Sequence, residues 1–526
     1  MSCEMLKKSH YDYSTLLKRG AASDLKICTG KNSCCTKSIE NEIVKSSEKI
    51  FKAQLEDKII VLRHMINSDL NSFKTYFYNS LNTCHEHLDA LFDRTYGTFY
   101  QSNSQAFDTF FNRLRAFSSP FSDTKVPQAV RKLLEDLFII IFQLMNPMHN
   151  VNAEQRRCII DSMDDIAPFG DVPKKIITNL EKSLVFWKQF VVGLVTVHNI
   201  LEGFMNVSFH SAASVSNDCK ENLARMWDCS LCSGMQESRP CSGLCMNVMK
   251  GCLSDWTEID QQWNAVIDNF LKISSKLRGS QNLHYALQPL PVQFSEAVME
   301  MQERGVTVSN KVIARCYAIG IAIPSTSRPS PQRYRRAVFL RGITERAANY
   351  GKVLDSLMQM FSKRISSLRG WFTSLPKAFC YDSGLVAKDG EKCWNGNETA
   401  SYERKIAKDE LQYQRENPEY KTQRFIPYRG LFVDERLRLG MLSFRLQSTL
   451  YGKNYTNYQI EGSGNSDDED YSEGSGSLSI ISLVSSESSE DSVDVLPHTS
   501  STSRQLVRTS LIICIFIKSF NRLLST

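Results

Sequence analysis

Six cysteines fall between Cys219 and Cys252: Cys219, Cys229, Cys232, Cys241, Cys245 and Cys252. Thiols this dense either bind metal or oxidise to disulfides. Cys229-x-x-Cys232 followed by Cys241-x-x-x-Cys245 has the ligand spacing of a four-thiolate zinc site. Ten more cysteines are spread along the chain, at 3, 28, 34, 35, 84, 158, 316, 380, 393 and 514. A zinc site leaves those ten unexplained, whereas a disulfide framework accounts for them together. The first reading requires a reducing compartment and the second an oxidising one. Spacing alone leaves both open.

Other chemistry is sparse. The chain has no nucleophile elbow, no phosphate loop and no His-Glu-x-x-His. Gly30-Lys31 lacks the upstream glycine of a phosphate loop. His85-Glu86-His87 sets its histidines two apart, on different helix faces, which suits chelation poorly. Lys and Arg alternate with acids and form no run interleaved with aromatics, so nucleic acid is not an expected partner. Neither enzymatic activity nor a cofactor is expected.

The elements that must hold the cysteines are helical. Apolar residues Leu70, Phe73, Phe77, Leu81, Leu88, Leu91, Phe92 and Phe99 recur at mostly three, four or seven. Stretches 38–67, 126–146, 174–205, 255–278 and 337–369 behave alike, and sustained alternation is rare. The expected fold is all-α, one large body over 1–453. Pro324, Pro329 and Pro331 interrupt it and mark 324–336 as an exposed loop.

Charge divides the chain after Lys453. Overall, 63 Lys and Arg face 57 Asp and Glu, but residues 1–453 hold 59 bases and 47 acids. From Asn454 onward ten acids meet four bases. Residues 461–503 are Ser-rich, lack Lys and Arg, and contain Tyr471 as their one aromatic. Such a composition cannot bury enough apolar surface to offset ordering entropy, so 454–503 is expected to be a disordered stalk. Residues 504–526 contain an apolar run, Leu511–Ile517, broken by Lys518. It is too short to span a bilayer, which needs roughly 20 residues. It reads as a degraded lipid-anchor signal behind the small residues Ser500–Ser503. The opening Met-Ser-Cys-Glu-Met-Leu-Lys-Lys carries no apolar leader.

Residues 229–252 read Cys-x-x-Cys-x-Gly-Met, four residues, then Pro-Cys-x-x-Leu-Cys-x-x-Val-x-x-Gly-Cys. This resembles the glypican signature, with Leu244 where an aromatic is usual. Cys28 followed by Cys34-Cys35, the run Phe92–Tyr100, and Pro376–Cys380 with Cys393–Gly396 are also glypican-like. The last stretch resembles the branch containing glypican-4 and glypican-6. Cys84 and Cys514 lie outside the family set.

The resemblance implies an elongated, disulfide-stapled helical core in a non-enzymatic, extracellular heparan sulfate proteoglycan held at the plasma membrane by a glycosylphosphatidylinositol anchor. By order it implies seven bridges: Cys3–Cys34, Cys28–Cys229, Cys35–Cys232, Cys158–Cys316, Cys219–Cys252, Cys241–Cys393 and Cys245–Cys380. It implies a leader upstream of Met1. Ser463 and Ser475, each in Glu-Gly-Ser-Gly, become glycosaminoglycan attachment sites. Arg333, Arg335 and Arg336 fit a convertase site in the proline-rich loop. Sequons occur at Asn206, Asn397 and Asn454. Its partners would be covalent heparan sulfate chains and the Wnt, Hedgehog, FGF and BMP ligands, for which the chain would serve as co-receptor. The competing reading is an intracellular zinc-binding helical scaffold built on Cys229, Cys232, Cys241 and Cys245.

Overall fold

The computed structural model describes residues 25–29, 33–119, 122–210, 215–235, 238–317, 340–382, 384–388, 391–420 and 432–451; for 207–210 and 340–350 only the helical backbone is described. The chain divides into Met1–Tyr458 and Gln459–Thr526, and every described residue lies in the first unit.

The longest element is α1, Lys37–Tyr96. The sequence has no Gly or Pro between its ends, so the two periodic stretches 38–67 and 70–99 run on as one helix up to Gly97. Thr36 caps its start by accepting from the Ile39 amide. Gly97, at φ +54°, ends it. Then come α2 (Gln105–Phe117), α3 (Val126–Met145), α4 (Ala153–Asp161) and α5 (Val172–His210). Helices α6 (Asn217–Trp227) and α7 (Ser242–Cys252) carry most of the cysteine-rich stretch. The body continues through α8 (Asp260–Arg278), α9 (Leu290–Glu303), α10 (Gly305–Cys316), α11 (Leu340–Ser367) and α12 (Trp371–Lys377), and closes with α13 (Val433–Leu450). No strand occurs among the described residues; the extended pairing there is an isolated bridge pair at Trp394, to Pro240 and Thr399.

Helix α5 is central. It packs on α1, α3, α8, α9 and α13. Ile176, Leu180, Leu184, Trp187, Phe190, Val191, Leu194 and Leu201 are all fully buried. The helix is long and apolar enough to cross a membrane, and these contacts account for that composition within a folded core. Phe190 meets Phe73 at 4.8 Å and Phe361 at 5.1 Å, and Trp187 stacks on Phe77 at 5.6 Å. Edge-to-face and offset contacts of this kind add roughly 0.5–1.5 kcal/mol each beyond area burial. A second aromatic cluster anchors the start of α13. Phe432 lies 4.4 Å from Trp256 and 5.3 Å from Phe204. Packing holds it at φ +63°, a left-handed conformation that a bulky residue otherwise avoids.

Candidate functional site

The cysteine-rich stretch is a hub on which distant segments converge. Helices α6 and α7 are tied at their far ends by Cys219–Cys252, with Cα atoms 5.1 Å apart. The short turn Cys229–Cys232 between them receives the segment ahead of α1 through Cys28–Cys229 and Cys35–Cys232, both at Cα separations of 5.1 Å. Helix α7 receives the chain after α11 through Cys241–Cys393 and Cys245–Cys380, at 4.9 and 5.9 Å. Apart from the hub, Cys158–Cys316 joins α4 to the end of α10. Six of the seven implied pairs lie within the described residues, and the structure joins each of them. Cys34 is also disulfide-bonded; Cys3, its implied partner, lies outside the described residues.

Hydrogen bonds set the register of these bridges. Glu40, in the first turn of α1, accepts from the Ile27 amide at 2.6 Å and the Cys28 amide at 3.0 Å. Its side chain is 1% exposed. Burial raises its carboxyl, but Lys37 and the amides of Ile27, Cys28 and Lys26 outweigh that and hold it below the ordinary Glu value. Next to Cys229, Asp228 accepts from the buried Ser47 hydroxyl at 2.9 Å. That single bond does not offset burial, and the Asp228 carboxyl is pushed up to about 6.

Residues 394–420 pack over α7 through a polar lattice. Asn247 donates to the Tyr402 hydroxyl at 2.8 Å and accepts from the Ala407 amide at 2.8 Å. Asn417 donates to the Asn247 carbonyl at 2.8 Å. Glu419 is buried and accepts from Tyr402 at 2.6 Å, from Arg404 at 3.2 Å and from Arg225. Burial and then the bond to Glu419 push the Tyr402 phenol up. Two glycines of the cysteine-rich stretch make room for this layer. A Cβ at Gly243 would come within 2.6 Å of the Tyr402 ring, and one at Gly251 would overlap the Tyr420 ring. The sequence reading missed Tyr402, Glu419 and Tyr420. Their signal was Gly243 and Gly251, whose partners lie far downstream.

The remaining site residues are dispersed. Asn206 is exposed on α5, and Asn397 is exposed in a turn where its amide donates to the Asn395 side chain at 3.0 Å. Ser463, Ser475, Asn454, Arg333, Arg335 and Arg336 lie outside the described residues. Cys229, Cys232, Cys241 and Cys245 bond to four different distant cysteines, so the thiolates of the zinc scaffold are already taken. Among the described residues no group of three or more His, Cys, Asp or Glu is placed to hold a metal. His85 stacks on Phe111 at 4.2 Å instead. Cys84 is a buried free thiol donating to the Leu287 carbonyl at 3.2 Å.

A family model described as Glypican matches residues 5–509. The chain is similar to Glypican-1 of Gallus gallus, 24% identical over 396 residues, covering 75% of this chain and 70% of that protein. It is similar to Glypican-2 of Mus musculus, 28% identical over 419 residues, covering 76% and 69%. Neither relative bears on the branch suggested by Pro376–Gly396. In fold it resembles the crystal structure of full-length glypican-1 core protein, with a TM-score of 0.65 and 22% identity over 86% of this chain and 100% of that one. It also resembles the structure of Dally-like protein in complex with O-palmitoleoyl serine, with a TM-score of 0.57 and 22% identity over 86% and 99%. The long α1, the stapled cysteine hub and a family match over almost the whole chain lead to one conclusion: this chain belongs to the glypican family of non-enzymatic heparan sulfate proteoglycan core proteins.

Proposed function

We propose that the chain is a cell-surface co-receptor that binds growth factors and morphogens of the Wnt, Hedgehog, FGF and BMP classes and regulates their signalling. In this reading residues 1–453 form the stapled core, 454–503 the glycan-bearing stalk, and 504–526 a short apolar segment with a degraded glycosylphosphatidylinositol signal. Heparan sulfate on Ser463 and Ser475 captures basic ligands through long-range, salt-sensitive attraction. The core adds short-range contacts. Dally-like protein, similar in fold, was solved with an acylated serine. That supports a core that meets lipid-modified ligands as well as basic ones.

The observation that carries the reading is the pair of Glu-Gly-Ser-Gly sites among ten acids, in a chain of this family. A glycine beside the serine hydroxyl removes steric bulk at a transferase active site. Asn206, Asn397 and Asn454 are the proposed N-glycan sites. Arg333, Arg335 and Arg336 are the proposed convertase site.

Heparan lyase treatment of the purified protein tests this. The expected result is a large loss of mass, absent from a Ser463→Ala/Ser475→Ala variant. An unchanged mass in the parent, or full glycanation of the variant, would overturn the assignment.

A further inference from the structure

The chain contains a single Asn-Gly pair, Asn395-Gly396. It sits in the turn that follows Cys393, and the flanks of that turn are held. Cys393 is bridged to Cys241. The Trp394 amide donates to the Arg239 carbonyl at 2.8 Å, and the Trp394 indole donates to the Arg225 carbonyl of α6 at 2.9 Å. The Asn395 amide donates to the Glu398 carbonyl at 3.0 Å.

Asparagine followed by glycine has a chemistry of its own. The glycine nitrogen attacks the asparagine side-chain carbonyl and closes a five-membered ring. The attack needs an uncrowded nucleophile, an amide proton that is not already bonded, and a carbonyl that can take on negative charge. All three meet here. Gly396 has no side chain, and its φ of +100° favours glycine at this position. Among the described residues the Gly396 amide donates to no hydrogen bond. The Asn395 side-chain oxygen accepts from the Asn397 and Glu398 amides, each at 3.0 Å. Two backbone donors at that distance form an oxyanion hole around the carbonyl under attack.

Charge adds to the geometry. The Arg225 Nε lies 3.7 Å from where a Cβ on Gly396 would stand, and it is buried with no hydrogen-bond partner. The far end of that guanidinium pairs with Glu419, but Glu419 also accepts from Arg404 at 3.2 Å. Two bases share one acid, which leaves positive charge in excess beside Gly396.

We propose that Asn395 is a site of spontaneous deamidation, with Gly396 as nucleophile and water as co-reactant. Hydroxide takes the Gly396 amide proton, and the nitrogen bonds to the Asn395 side-chain carbon. Negative charge passes to the side-chain oxygen, where the two amides receive it. The bond from that carbon to the side-chain nitrogen then breaks, and the nitrogen takes a proton from water and leaves as ammonia. Water opens the resulting succinimide. Opening at the side-chain carbonyl gives aspartate. Opening at the backbone carbonyl gives isoaspartate, with an extra methylene in the main chain. Either product places a new carboxylate on the hub, just ahead of the Asn397 sequon. The aspartate keeps both amide bonds in charge-assisted form and gains Arg225 as a neighbour. The isoaspartate lengthens the main chain beside Trp394 and loosens its pairing with Pro240.

The test holds the full glycoprotein, folded and at neutral pH, in water labelled with oxygen-18. A second sample is reduced, alkylated and unfolded in guanidinium in the same water. Any glycan on Asn397 is afterwards removed in ordinary water, so that the label reports position 395. Peptide mass spectrometry should place one labelled oxygen there in the folded sample, and isoaspartyl methyltransferase should methylate part of that peptide. The folded rate should stay within about tenfold of the unfolded one, since misplacing the reacting groups by about 1 Å would cost about a hundredfold. Arg225→Gln should slow conversion at least about tenfold in the folded chain, by loss of a nearby charge, and leave the unfolded rate unchanged. A folded parent that takes up no label, or does so more than about tenfold slower than the unfolded chain, overturns the proposal. That comparison needs no variant, so it stands even where Arg225→Gln does not fold. A folded Arg225→Gln chain that converts at the parent's rate overturns the part given to Arg225.

Discussion

The ring of Tyr420 occupies the place where a side chain at Gly251 would begin. The two residues are far apart in sequence, yet the Tyr420 hydroxyl also donates to the Val248 carbonyl at 3.1 Å, one turn before Gly251. The glycine ahead of Cys252 is therefore a packing requirement. Gly251→Ala should displace Tyr420 and loosen residues 402–420, costing roughly 1–3 kcal/mol as overpacking. Urea unfolding without reductant measures the loss. Limited proteolysis should show earlier cuts within 402–420. In a Gly251→Ala/Tyr420→Ala double variant the two costs should be less than additive, because the clash is gone. Strict additivity would show that the two sites do not communicate.

The same pair shows what the sequence made legible. Helix positions followed from apolar spacing, and the hub followed from cysteine density and a recognisable signature. The layer over α7 did not follow. It is built from Asn247, Tyr402, Asn417 and Glu419, whose bonds to α7 and to Arg225 of α6 are set by hydrogen-bond geometry across more than a hundred residues. Period and composition carry no trace of such pairings. No break separates the periodic stretches 38–67 and 70–99 within α1 up to Gly97. The polar residues there, Asn67, Ser68 and Asn71, lie on the solvent side of α1, and the buried face passes through Ile66, Leu70 and Phe73.

Glu40 predicts an acid sensitivity. Its folded carboxyl is held below the ordinary value, so its contribution is complete above the unfolded pKa and is lost as pH falls through the folded one. Glu40→Gln should be less stable than the parent at pH 7 by about 1–3 kcal/mol, because charge-assisted bonds to buried amides are lost. The gap should narrow below about pH 4.3, the ordinary Glu value. A gap that stays constant from pH 7 to pH 3 would show that the charge of Glu40 is immaterial.

Asp228 predicts the opposite slope. Its carboxyl titrates near 6 when folded and ordinarily near 3.8. The folded state therefore binds the proton more tightly, and stability from this group grows as pH falls from above 6 toward 4. Asp228→Asn keeps an acceptor for Ser47 and removes the buried charge. The variant should be more stable than the parent at pH 7.5, by roughly 1–3 kcal/mol, and should match it near pH 4. Thermal melts at the two pH values decide this. A destabilised variant at pH 7.5 would mean that the ionised form makes a contact worth more than its burial.

The bridges predict how a cleaved chain behaves. A cut after Arg336 would separate a fragment containing the hub from one beginning at Ala337. Cys158–Cys316 lies within the first fragment and cannot join the two. Cys241–Cys393 and Cys245–Cys380 both cross the cut, and both land on α7. The cleaved protein should therefore run as one species on a non-reducing gel and as two after reduction. Removing either crossing bridge, as Cys241→Ser/Cys393→Ser or Cys245→Ser/Cys380→Ser, should leave the halves covalently joined. Each removal should still lower the melting midpoint, since a long-loop disulfide contributes roughly 2–4 kcal/mol. Only the fourfold variant should release the second fragment under denaturing, non-reducing conditions. Without denaturant the halves should stay together even then, because α11 packs on both α1 and α8, and Phe361 of α11 contacts Phe73 and Phe270 across the cut. Spontaneous separation of the fourfold variant in native buffer would show that the bridges, and not the shared core, hold the two halves.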